Sequence, residues 1–161
     1  MADGEVKPLE PEERERVAAA EWAICVATFY GDLAERLTNG AFEGFLELGA
    51  GAGSIQTFEV PGAFELPLAA QLCARTGRFA GVACLGVVIR GETDHYDFVC
   101  AESASGLRQV TLETGVPCAF GVITCDTASR PRPAPAAASA TRAAMPRSPP
   151  SECTCSRSTT A

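Results

Sequence analysis

The chain has 161 residues, 47% of them hydrophobic, and a formal net charge of -7. Length and apolar content suit one domain with its own core and exclude a wholly disordered chain. The acidic balance argues against a nucleic-acid surface, no apolar run approaches the roughly 20 residues of a membrane span, and the polar first segment lacks the apolar centre of a signal peptide.

Residues 1–19 read as a polar arm rich in Glu and Arg. From Glu21 the run AICVATFY is continuously apolar, as in a strand covered on both faces, and it ends on Phe29 and Tyr30. In the following GDLAERLTNGAFEGFLELGAG, Leu33, Leu37, Phe42 and Phe45 recur at helical spacing; Asp32 suits the start and the glycines at 49–53 the end. Residues 54–60 alternate as a second strand, and Pro61-Gly62 turns into a helix over 63–74 bearing Phe64, Leu66, Leu68 and Leu72. Residues 81–90 form a third strand, followed by the polar loop GETDHYD, a helix over 98–113, a Gly-Val-Pro turn, and a fourth strand over 118–125. The order β-α-β-α-β-α-β predicts a parallel sheet with right-handed crossovers and helices on its faces. Ligands then sit beyond the carboxyl ends of the strands, where the loops after Val26, Val60, Ile89 and Ile123 meet.

Eight cysteines raise the question of disulfides or metal. Cys25, Cys84 and Cys125 lie inside apolar runs, and Cys73, Cys100 and Cys118 are scattered among small apolar residues, so free core thiols in a reducing compartment are expected. Cys153 and Cys155 form a C-x-C pair with no histidine nearby, a weak metal signal.

From residue 128 the composition breaks. Residues 128–161 contain no Leu, Ile, Val, Phe, Tyr or Trp, hold six of the eleven prolines, and carry five arginines against one acid. Such a segment cannot make the amphipathic helix that a four-strand unit needs next; as a Pro/Ala/Ser-rich tail it is expected to be disordered. A sharper reading is translation out of frame. Read one base late, Cys and TCN-coded Ser mark codons whose original middle base was T, hence apolar residues. Ser148, Ser151, Cys153, Cys155, Ser156 and Ser158 then recur at helix-like intervals, and GC-rich codons permit a Gly-Asp-Lys-Gly turn before an Ala/Leu-rich helix.

Chemistry concentrates in GVVIRGETDH, residues 86–95, where a buried strand runs into a polar loop holding the chain's single histidine. Gly91 is expected to supply unusual backbone angles and close ligand approach, while the amides of Glu92 and Thr93 near a helix start suit a phosphate. His95 has the side chain whose ordinary pKa fits general acid–base work; the plain alternative is a surface histidine in a capping loop. Glu65 opens a helix and either complements its dipole or faces a ligand. Phe29 and Phe120 are core aromatics or stacking platforms.

The blocks VPGAFELPLAAQ, LGVVIRGETDHYDFVC, ESASGLRQVTLETGVP and FGVITCDT resemble the 6,7-dimethyl-8-ribityllumazine synthase family over residues 20–127. The resemblance implies a flavodoxin-like three-layer α/β/α sandwich with a four-stranded parallel sheet. It also implies homopentamers, or shells of pentamers, with active sites between subunits in the cytoplasm, and needs no metal or organic cofactor. The implied reaction condenses 5-amino-6-(D-ribitylamino)uracil with 3,4-dihydroxy-2-butanone 4-phosphate, a transferase step of riboflavin biosynthesis. Phe29 would stack on the pyrimidine, Ala63, Phe64 and Glu65 would hold the ribityl chain, and Val87, Val88 and Ile89 would bond the ring through backbone groups. Glu92 and Thr93 would bind phosphate, His95 would move protons, and Phe120 would close the ring pocket of the adjacent subunit.

The chain departs from the family after the fourth strand. Ala134 stands where the family's phosphate-clamping arginine belongs, and the only lysine is Lys7, so the family's later Lys-Gly turn is absent, as are its C-terminal helices. The expectation is an impaired, poorly assembled copy. A second reading is a non-catalytic lumazine- or flavin-binding, or shell-forming, subunit; a generic flavodoxin-like ligand-binding domain is a third.

Overall fold

Side chains on a strand alternate between faces, and that alternation organises this molecule. The computed structural model describes residues 8–126, so the readings made of 128–161 lie outside the described residues. In chain order the elements are α1 (Pro11–Ala19), β1 (Glu21–Ala27), α2 (Gly31–Glu47), β2 (Ile55–Val60), α3 (Leu66–Arg75), β3 (Phe79–Ile89), α4 (His95–Thr114) and β4 (Cys118–Cys125). Single 3-10 turns, Ala52–Ser54 and Ala63–Glu65, lead into β2 and α3. The sheet order is β2-β1-β3-β4 and every pairing is parallel, with Cys25 level with Phe58 on one side and Cys84 on the other.

Trp22, Ile24 and Val26 of β1, with Ala83, Leu85 and Val87 of β3, meet Leu37, Ala41 and Phe45 of α2. Ala23, Cys25 and Ala27, with Val82, Cys84 and Val88, meet Leu66, Ala70 and Cys73 of α3 and Leu107 and Val110 of α4. Both central strands are therefore apolar on both sides, which is why their sequences do not alternate. The result is the expected flavodoxin-like three-layer sandwich.

The tight spots are glycines. A Cβ on Gly106 would lie 2.7 Å from Pro67 Cγ, so α4 crosses α3 at a distance no side chain permits. Gly115, at φ 72°, closes α4 in the left-handed conformation that suits glycine.

One helix is added to the expected elements, and one helix start is corrected. Residues 11–19 of the polar arm form α1, with Pro11 in the first turn and the Glu10 amide donating to Glu13 Oε2 at 3.0 Å. Only Val17 of α1 is buried, and its carbonyl accepts the Trp22 indole N–H at 3.2 Å. One apolar contact leaves no stripe to read. The third predicted helix starts at His95 rather than 98, because the polar His-Tyr-Asp sequence is a first helical turn and not a loop.

Candidate active site at the strand ends

Parallel strands end together, and three of them end around one cavity of about 540 Å³. β1 delivers Phe29 and Tyr30, which meet edge to face at 5.0 Å between ring centroids. The Thr28 amide and hydroxyl both donate to Val60 O, at 2.9 and 3.2 Å, tying the loop after β1 to the loop after β2. That second loop supplies Pro61 to Glu65. A Cβ on Gly62 would come within 3.0 Å of Glu65 Oε2, so the carboxylate folds back over the turn.

Val87, Val88 and Ile89 at the end of β3 form another wall. A Cβ on Gly86 would sit 3.3 Å from the Ala27 Cβ and 3.7 Å from the Ala63 Cβ, so the small residue lets the 63–65 turn rest on the sheet. Ser103, fully buried, places its Oγ 2.9 Å from Ala63 O and 2.6 Å from Val99 O, anchoring the same turn from α4. The remaining wall is Gly91, Thr93, His95, Tyr96 and Val99.

Nine of the eleven sequence-nominated residues thus line one cavity: Phe29, Ala63, Phe64, Glu65, Val87, Val88, Ile89, Thr93 and His95. Glu92 is exposed and outside the lining, and Phe120 stands on β4, level with Cys84 and 45% exposed, away from this chain's cavity. Gly91 lines the cavity without a positive φ; a Cβ there meets nothing within 4 Å, so it contributes open space. Tyr96 falls in the segment read as loop, and Val99 was read only as part of the helix; their three-residue spacing, continued by Ser103, is the helical signal that identifies them.

Among the described residues the lining contains one carboxylate, Glu65, and neither Lys nor Arg. Arg90 stands beside it with its charge engaged: hydrogen bonding to Asp97 holds its pKa above the ordinary arginine value, with Tyr96 and Asp126 adding to the effect. The thiols lie elsewhere. Cys25, Cys73 and Cys84 are free and buried, with Cys25 and Cys73 Sγ 3.8 Å apart. The contact with Cys25, together with burial, pushes the Cys73 thiol far above its usual range, so it stays protonated and unreactive at neutral pH. Among the described residues no three His, Cys, Asp or Glu side chains are grouped to hold a metal.

Topology and cavity together define the class, a flavodoxin-like α/β/α protein with a small-molecule site at its strand ends. Within that class, the sequence model of the 6,7-dimethyl-8-ribityllumazine synthase family matches residues 19–144. A protein of that name from Desulfatibacillum aliphaticivorans is 43% identical over 106 residues, covering 66% of this chain and 68% of the relative. Another, from Syntrophus aciditrophicus (strain SB), is 44% identical over 120 residues, covering 74% of this chain and 78% of the relative. The chain belongs to the 6,7-dimethyl-8-ribityllumazine synthase family.

Proposed function

We propose that this chain condenses 5-amino-6-(D-ribitylamino)uracil with 3,4-dihydroxy-2-butanone 4-phosphate, giving 6,7-dimethyl-8-ribityllumazine, two waters and inorganic phosphate. The carrying observation is the convergence of nine nominated residues on one cavity. Phe29 offers a ring face to the pyrimidine, and backbone groups of Val87 to Ile89 bond its edge. Ala63, Phe64 and Glu65 take the ribityl chain, and the loop through Glu92 and Thr93 receives the phosphate. His95 accepts and returns protons as the aromatic amine adds to the ketone, water leaves the imine and phosphate is eliminated. Holding two substrates in one closed geometry supplies the rest of the rate.

We place the reaction in the cytosol, where free thiols stay reduced, and the protein in homopentamers or pentamer-based shells. Exposed apolar side chains support assembly: Phe29 is 75% exposed, Leu72 62%, Phe98 67% and Leu112 75%. In such an assembly the half-exposed Phe120 closes the ring pocket of the next subunit.

The test replaces His95. His95→Gln is expected to lower kcat by about 10²-fold or more while binding of ribityllumazine, followed by its fluorescence, persists. Unchanged turnover by H95Q overturns the assignment.

A specific observation favours reduced activity in this copy. Among the described residues the cavity lining has no Lys or Arg, and the guanidinium of Arg90 is paired with Asp97 and Asp126. Within the described residues, a phosphate subsite of that charge lacks the cation that a dianion calls for. Tight lumazine binding with little phosphate release marks that impaired or purely binding form; full turnover in a stable pentamer refutes it.

A further inference from the structure

The start of α4 carries His95, yet the ordinary device for fixing a helix start is missing there. Asp94 occupies the N-cap position without a side-chain hydrogen bond, and the first turn is held locally by backbone contacts alone, Asp97 N–H to Asp94 O at 3.0 Å and Phe98 N–H to the same oxygen at 3.4 Å. What grips the turn is the residue that directly follows β3. Arg90 sends Nη1 and Nη2 to the two oxygens of Asp97, at 3.3 and 3.0 Å. Its Nε lies 3.4 Å from Asp126 Oδ1 beyond β4, and its guanidinium carbon stands 4.0 Å from the centroid of the Tyr96 ring. Its own amide donates to Cys125 O at 2.9 Å, fixing its backbone to the end of the β3–β4 pairing.

We propose that Arg90 is a positioning residue: its guanidinium, shared among Asp97, Asp126 and the Tyr96 ring, sets the first turn of α4 so that His95 and Tyr96 face the cavity. Arg90 does not line the cavity, so it acts through its neighbours. The planar fork matters more than the charge, because a forked contact and a stacked ring fix an orientation that a lysine ammonium leaves free. The pair with Asp97 is well exposed, so its loss is expected to cost little stability. Misplacement of a reacting group by about 1 Å costs on the order of 10²-fold in rate.

The proposal rests on the role given to His95, and the test separates the two. His95 is the single histidine, so its labelled imidazole gives one NMR signal, a readout independent of turnover. Arg90→Gln and Arg90→Lys are compared with Arg78→Gln, a matched control whose Arg78 pairs with Glu21 at 2.6 Å and stacks over Phe79 at 5.3 Å, far from the cavity. R90Q and R90K are expected to move the His95 signal and to lower kcat at least tenfold. KM for the ribitylaminouracil and the melting temperature should stay near those of the parent. R78Q should change none of these.

Asp97→Asn should reproduce the R90Q effect, and it carries the test should R90Q fail to fold. An unmoved His95 signal in R90Q overturns the proposal. So does a raised KM for the phosphate substrate at unchanged kcat, which would make Arg90 a direct phosphate ligand, or an equal response in R78Q. If H95Q turns over normally, the His95 assignment fails instead; if H95Q is inactive while R90Q is not, the Arg90 proposal fails alone.

Discussion

At the scale of single residues, two hydroxyls shape the cavity without facing its interior. Ser103 sits fully buried in α4 and reaches the Ala63 carbonyl. Ser103→Ala leaves that carbonyl short of a partner in a dry setting, at an expected cost of about 1–2 kcal/mol, measurable as a lower urea midpoint. Because the 63–65 turn faces the cavity, the same variant is expected to weaken ribityllumazine binding. Thr28 does the corresponding job between the loops after β1 and β2. Neither residue was legible in the sequence. Each acts on a backbone carbonyl 32 or more positions away in the chain, and no local pattern encodes such a contact. His95, Thr93 and the 63–65 turn were legible because each directly follows a strand or opens a helix, and the chemistry of such places is local.

Among elements, the tightest relation is the crossing of α3 and α4. Gly106 rests against Pro67, and a methyl there would lie 2.7 Å from the ring. Gly106→Ala therefore forces the helices apart, with an expected loss of about 1–3 kcal/mol, read as a lower melting temperature. Pairing it with Pro67→Ala should recover part of the loss, whereas a defect in helix propensity would not be recovered. Strand positions were the most legible elements, since β1 and β3 are apolar on both faces and β4 falls at the predicted residues. Helix beginnings were the least. α1 shows one buried residue in nine, and the first turn of α4 is all polar or aromatic, so neither carries an apolar stripe. α4 takes its start from Arg90, a contact made in space.

For the molecule as a whole, the outer helices leave apolar side chains uncovered. Leu68 and Leu72 lie one turn apart on α3 at 60% and 62% exposure, and Leu112 of α4 is 75% exposed. Placing a charge in this strip, as in Leu72→Glu, is expected to shift the sedimentation coefficient from an assembly toward the single chain. An unchanged coefficient would put the contact elsewhere. The order β2-β1-β3-β4 also gives folding a chronology. β1 is made first of the four strands and lies inside the sheet, yet each neighbour reaches it only after a helical crossover. No pairing in the sheet is local, and closing such loops is slow compared with forming a hairpin. A chain leaving the ribosome thus holds the apolar strand β1 without a partner until β2 and β3 have been synthesised. Trp22, the only tryptophan, stacks 5.3 Å from Phe45 of α2, so its fluorescence times the moment when α2 docks and that wait begins to end.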